Sequence, residues 1–164
     1  MVLYANYEEV SYTLETGKEF NKHIPNSAQT IQFTDEEAPD GAALTDVSEK
    51  KNGSVVAWMD DTSHTWYVST QQKGKNVQFN KDCSHMFEKS QAKALYLNNI
   101  DTSKVTNMSY MLNKCELTTL DVSHFDTSNV TNMHSMFYGC SNLTVLDLSH
   151  FDTSKVTDMN SMFM

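Results

Sequence analysis

A chain of 164 residues is long enough for one ordinary domain, or for a short repeat array with a cap. Its net charge is −9 and its twelve basic residues are all lysine, which argues against nucleic acid, read largely through arginine and a basic face, and against an anionic membrane surface. No apolar run approaches the roughly 18 residues of a membrane-spanning helix, and three cysteines make no disulfide framework.

The first residues alternate apolar and polar (Leu3, Tyr4, Tyr7, Val10, Tyr12, Leu14) and are expected to form short strands, as is Thr30–Thr34. Between them GKEFNKHIPNS reads as a loop. The start, MVLYANYEEVSY, has neither the charged beginning nor the apolar stretch of a signal peptide, so the chain reads as cytoplasmic or as a mature fragment. Asp35–Gly53 is acidic and turn-rich, a solvated face with a short helical piece expected around Ala42–Lys50. Two β-rich runs, Val55–Met59 and Thr65–Thr70, predict a hairpin over residues 54–70, and Val77–Phe79 predicts one more short strand. Trp58, Trp66, Tyr67 and Phe79 are expected to cover the open edge of whatever follows. Residues 1–82 therefore read as an N-terminal β-rich cap region and 83–164 as a repeat region.

The repeat is explicit. LTTLDVSHFDTSNVTNMHSMFYGC (117–140) returns as LTVLDLSHFDTSKVTDMNSMF from Leu143, and in degraded form as ALYLNNIDTSKVTNMSYMLNKC (94–115), with CSHMF (83–87) the tail of a further copy. Self-similarity at this period means one supersecondary unit stacked on itself. Leu95, Leu120 and Leu146 align, as do Leu97, Val122 and Leu148, then Ile100, Phe125 and Phe151, then Val105, Val130 and Val156. Met108, Met133 and Met159 align too, followed by Met86, Met111, Met136 and Met162. Leu120–Ser123 alternates as a strand would. In the turn that follows, Asp126 and Ser128 are suited to bond local backbone N–H groups. Val130, Met133, Met136 and Phe137 then fall at i, i+3, i+6 and i+7, the spacing of a short helix or 3₁₀ turn with one face inward. Gly139-Cys140 ends the unit.

LxxLxLxxF resembles the leucine-rich-repeat signature, with Phe125 and Phe151 where many such repeats use Asn or Cys. The longer LDLSHFDTSKVTDMNSMF, with its closing Gly-Cys, resembles the BspA-like leucine-rich repeats of bacterial surface proteins, found also in some protozoan parasites. The resemblance covers 83–164 and extends to GAALTDVSEKKNGSVVAWMDD and WYVSTQ. The expected fold is an α/β leucine-rich-repeat solenoid of about three 25-residue strand–turn–helix coils, with a parallel sheet on the concave face and the β-rich cap in front. The resemblance implies a secreted or wall-attached protein that binds other proteins, hence an extracellular or cell-surface location, with no catalytic residue to carry over. The chain departs from it in lacking an export signal, a wall anchor and a long run of copies.

A rigid, continuous repeat face is where such proteins bind partners. The outward strand positions nominate Tyr96, Asn98, Asp121, Ser123, His124, Asp147, Ser149 and His150 as ligand-binding residues, against the plainer reading of a solvated sheet surface. Asp101, Asp126 and Asp152 form a second acidic column that Ca²⁺ would relieve; acceptance of each turn's own N–H groups is the preferred reading. His85 and His134 occupy helix positions with no common geometry, so no metal is assigned and no cofactor is implied. A nucleophile elbow, a phosphate loop and an HExxH motif are all missing. The expected function is non-enzymatic protein binding of the adhesin or host-interaction type, with a structural stalk or spacer, or a recognition module of a phage tail or secreted toxin, as alternatives. Cys115 and Cys140 share a repeat position. Stacked at the ~4.8 Å of paired strands they would be within bridging distance, or they are two buried thiols acting as small hydrophobes. The last copy stops at Met162-Phe163-Met164 without a polar cap, so the chain reads as truncated there, and a homodimer through that open coil is expected.

Overall fold

The computed structural model describes residues 9–164; the strand expected over Leu3, Tyr4 and Tyr7 lies outside them. In chain order the elements are helix α1 (Gly17–Asn21) and strands β1 (Thr30–Thr34), β2 (Thr45–Asp46), β3 (Val56–Asp60), β4 (Thr65–Ser69), β5 (Val77–Gln78), β6 (Ala94–Leu97) and β7 (Ile100–Asp101). One sheet has the order β2-β3-β4-β1-β6, and β5 pairs with β7 in parallel. β3 and β4 form an antiparallel hairpin, whereas β1 runs parallel to both β4 and β6. The segment around Ala42–Lys50 is not helical: it gives β2 and a turn anchored by Asp46, whose carboxylate accepts the N–H groups of Ser48 and Gly53. The loop read over 17–27 instead begins with α1.

Period-two alternation decides which side chains point inward. Ile31, Phe33, Trp66, Val68, Leu95 and Leu97 take one face and are buried. The Phe20 ring lies against Phe33, Trp66 and Phe87. From Phe33 the contacts run on through Phe79 to Phe125 and Phe151, with centroids 5.3, 6.4 and 6.3 Å apart. N-terminal region and repeats thus share one apolar core. Trp66 and Phe79 belong to it, but Trp58 and Tyr67 do not cover the first repeat; they lie on the opposite face of the sheet, stacked on each other.

The expected helix per repeat does not exist, so the fold is not an α/β leucine-rich-repeat solenoid. Helix α1 is the one helix among the described residues, and the protein is built of strands and turns. Where the Met spacing predicted a helix, alternate amides donate to the next copy. Met108, Tyr110, Leu112 and Lys114 donate to the carbonyls of Asn132, His134, Met136 and Tyr138 at 2.7–3.0 Å. Cys83, His85, Phe87 and Lys89 donate likewise to Asn107, Ser109, Met111 and Asn113, and Met133, Ser135 and Phe137 to Asp158, Asn160 and Met162. Intervening amides close i→i−3 turns, as Met111 does on Met108 and Asn113 on Tyr110. A left-handed residue recurs at equivalent places: His85, Tyr110, Ser135 and Ser161, then Lys89, Lys114 and Gly139, with φ between 52 and 71°. An α-helix tolerates no such residue in its interior. Tandem turns with alternating hand still turn every third residue inward, so Met108, Met111, Met133 and Met136 are fully buried as the spacing requires.

Parallel sheet pairing in the repeats also ends early. β6 and β7 are the last strands; beyond them the segment containing Leu120–Ser123 is held to its neighbour through Thr118, whose N–H and Oγ1 both reach the Lys93 carbonyl.

Candidate functional site

The sheet face opposite the core carries the most distinctive surface. Register places Trp58 opposite Tyr67, Tyr67 beside Gln32, and Gln32 beside Tyr96, one residue from each of β3, β4, β1 and β6. Inward neighbours fix the direction of all four, because a side chain next to a buried one points the other way. Trp58 and Tyr67 stack with centroids 5.3 Å apart and planes 16° from parallel, and Tyr96 is 52% exposed. Beside the stacked pair a groove of about 540 Å³ is lined by Trp58, Met59 and Tyr67 and rimmed by Glu36, Glu37, Asp60 and Asp61. Carboxylates around an aromatic floor suit a cationic group, which gains from ring quadrupole and charge together.

Of the nominated residues, Asp121 and Asp147 hold the repeat position of Tyr96, and Ser123 and Ser149 that of Asn98. Tyr96 sits in the row itself, and Asn98 is exposed just past β6. Asp121, Ser123, His124, Asp147, Ser149 and His150 are all exposed. The structure brings four of them into electrostatic reach: Asp121 feels His124 and His150, and Asp147 feels His150 and Asp121. Asp121 is held below the usual carboxylate value by its hydrogen bonds with Ser123, and Asp147 by the Ser149 N–H and hydroxyl. Each aspartate thus braces its own turn with one oxygen, at 2.9 Å in both cases, while the residue stays open to solvent. Ser123 and Ser149 act as the donors in that turn.

Gln32, Tyr67 and Trp58 were not nominated from the sequence. The available signal was that TIQFT and ALYL share one alternation, apolar residues flanking a polar or tyrosyl one, which is what two adjacent strands of a half-buried sheet look like. Proposing the partnership requires a parallel pairing across sixty-odd residues of intervening chain, which periodicity does not supply.

The second acidic column is structural. Asp101, Asp126 and Asp152 each accept the N–H of the serine two residues on, at 2.9–3.0 Å. Asp126 and Asp152 are held below the ordinary value mainly by the hydroxyls of Ser128 and Ser154. His85 and His134 are not isolated positions: His85 stacks on Tyr110 at 4.8 Å, and Tyr110 meets the His134 ring at 5.1 Å. The His85 Nδ1 pairs with Glu88 at 2.6 Å. Among the described residues no group of His, Cys, Asp and Glu is arranged to hold a metal ion, and no helix is long and apolar enough to cross a membrane.

Fold and surface together define a class: a repeat protein whose copies stack by backbone hydrogen bonds behind a mixed sheet. A family described as "Mycoplasma protein of unknown function, DUF285" matches residues 81–164, just over half of the chain, and the chain belongs to it. That family relates only loosely to the BspA-like surface repeat proteins. No curated protein and no solved structure matches the chain.

Proposed function

We propose that this chain is a non-enzymatic module that binds another protein at the bacterial surface or outside the cell, through the sheet face that carries Trp58, Tyr67, Gln32 and Tyr96. The single observation that carries the reading is the register, which lines up Trp58, Tyr67, Gln32 and Tyr96 on the sheet face away from Ile31, Phe33 and Val68, with Tyr96 exposed, Tyr67 and Gln32 half-buried, and Trp58 buried beneath as the ring that supports Tyr67. Large aromatic residues on a rigid surface supply contact area at little entropic cost and dominate binding hot spots. The acidic rim and Asp121 and Asp147 beyond it select a partner that presents lysine or arginine side chains to this face. His124, His150, Asn98, Ser123 and Ser149 extend the polar part of the contact.

The experiment is a binding screen of the immobilised chain against extracellular matrix and cell-surface proteins, repeated with three variants. Tyr67→Ala with Tyr96→Ala is expected to lower affinity at least tenfold, roughly the loss of 1.4 kcal/mol, and Asp121→Lys to weaken it further at low salt. Tyr110→Ala, on the turn ladder, is expected to leave it unchanged. Binding that survives the first two variants and fails with the third would move the site off this face; a chain that binds nothing in the screen, and tolerates exchange of all these outward residues in its parent protein, is a spacer.

A further inference from the structure

We propose that Cys115 and Cys140 form a reversible disulfide that staples two consecutive repeats, making this pair a redox modification site. Their sulfurs lie 3.2 Å apart in the reduced protein. The backbone leading to them is already in register, with Leu112 and Lys114 donating to Met136 and Tyr138 at 3.0 and 2.7 Å. Parallel neighbours about 4.8 Å apart fall inside the Cα separation a disulfide accepts, so bond formation asks for side-chain rotation and little else. The sulfurs differ in access. Cys115 is 3% exposed, whereas Cys140 is part-exposed and lines an open groove with Phe137, Leu143, Leu146 and Phe163. Cys140 is therefore the thiol an external reagent meets first.

Its chemistry supports that order. A hydrogen bond from the Cys115 thiol favours the Cys140 thiolate and, with burial, pushes Cys115 up. The Leu112 carbonyl, 3.0 Å from the Cys140 sulfur, accepts its proton in the neutral form. Cys83 has neither partner nor access. Its thiol is 1% exposed, donates to the Asn80 carbonyl at 3.0 Å and is pushed up by burial.

The step is thiol–disulfide exchange with a low-molecular-weight disulfide as oxidant. The Cys140 thiolate attacks one sulfur of the oxidant, forming a mixed disulfide and expelling one thiolate. Cys115 then loses its proton and attacks the Cys140 sulfur, expelling the second. Two protein thiols become one disulfide, the oxidant takes the two electrons, and the two protons leave on the released thiols. A cross-link over a 25-residue separation restricts the unfolded chain, so the oxidised protein is expected to be the more stable.

The test treats the folded full chain with glutathione disulfide, then unfolds it in the presence of an alkylating agent and reads the intact mass and the peptide map. The expected product lacks two hydrogens, carries a Cys115–Cys140 peptide, is alkylated at Cys83 alone, and melts at higher temperature than the reduced chain. Cys115→Ala, which keeps Cys140 as nucleophile and removes its resolving partner, is expected to stop at the mixed disulfide. Wild-type protein that keeps three alkylatable cysteines, retains a glutathione adduct on Cys140, or links between molecules would overturn the proposal.

Discussion

Thr127 shows how a single hydroxyl holds two repeats together. It is 2% exposed, accepts the Asp152 N–H at 2.8 Å and donates to the Asp152 carbonyl at 3.1 Å. Thr102 does the same one copy earlier, with Asp126. The middle letter of the Asp-Thr-Ser turn is thus the one that reaches the neighbour, while Asp and Ser close the turn on themselves. Thr127→Val keeps the shape and deletes both bonds, and is expected to cost about 1–3 kcal/mol in chemical denaturation, with Thr127→Ser largely restoring it. The aspartates set a pH dependence. Asp121, Asp126, Asp147, Asp152 and Asp158 all have folded values below the ordinary 3.8. A depressed carboxyl stabilises the fold at pH above its unfolded value, and the gain is lost as pH falls through the folded one. The denaturation midpoint is therefore expected to hold from neutrality down to about the ordinary aspartate value and to fall beneath it. Asp126→Asn is expected to flatten that fall in a pH series.

At the scale of elements, close backbone approach sets what the chain tolerates. α1 begins with Gly17 because it rests on the first repeat: its N–H donates to the Asp82 carbonyl at 2.8 Å, and a Cβ there would stand 2.3 Å from the Ser84 carbonyl oxygen. Gly139 is the milder case. It takes φ +71° where Lys89 and Lys114 hold left-handed angles of 56 and 53°, and its Cβ would crowd the flexible Lys114 Cγ at 3.0 Å while meeting the Lys114 Cα at an ordinary 3.7 Å. Gly139→Ala is expected to cost about 1–2 kcal/mol, and Gly17→Ala more than that, since backbone must move; paired urea titrations give the comparison. This scale also marks where the sequence was legible. Which residues are buried was readable from the copies in the central repeats, where Met108, Met111, Met133 and Met136 are inside, but not in the last, where the aligned Met159 is 48% exposed. The element that buries them was not, because inward positions three apart arise equally from a helix and from tandem three-residue turns. The deciding facts are the left-handed angles at Tyr110, Lys114 and Ser135, residue types that carry no glycine-like signal. Likewise the alternation of Thr30–Thr34 marked a strand, yet its place between β4 and β6 depends on a pairing no local pattern encodes.

The molecule as a whole is a stack whose members are joined by main chain as much as by side chain. Bridges at Asp82, Asn107, Asn132 and Asp158 pass through every copy; the Phe79 and Phe125 rings are buried in the core, and the partly buried Phe151 packs against it. Because the hydrogen bonds lock residues 108–114 to their counterparts, side chains fall into columns, among them Met86, Met111, Met136 and Met162, all buried. That locking is the central feature of the stack. Trans-hydrogen-bond scalar couplings in an isotope-labelled sample read it directly. The amide nitrogen of Leu112 is expected to couple to the carbonyl carbon of Met136, and that of Tyr110 to His134. Coupling of Leu112 to Met108 instead, the bond a helix would make, would contradict the stack and the columns built on it.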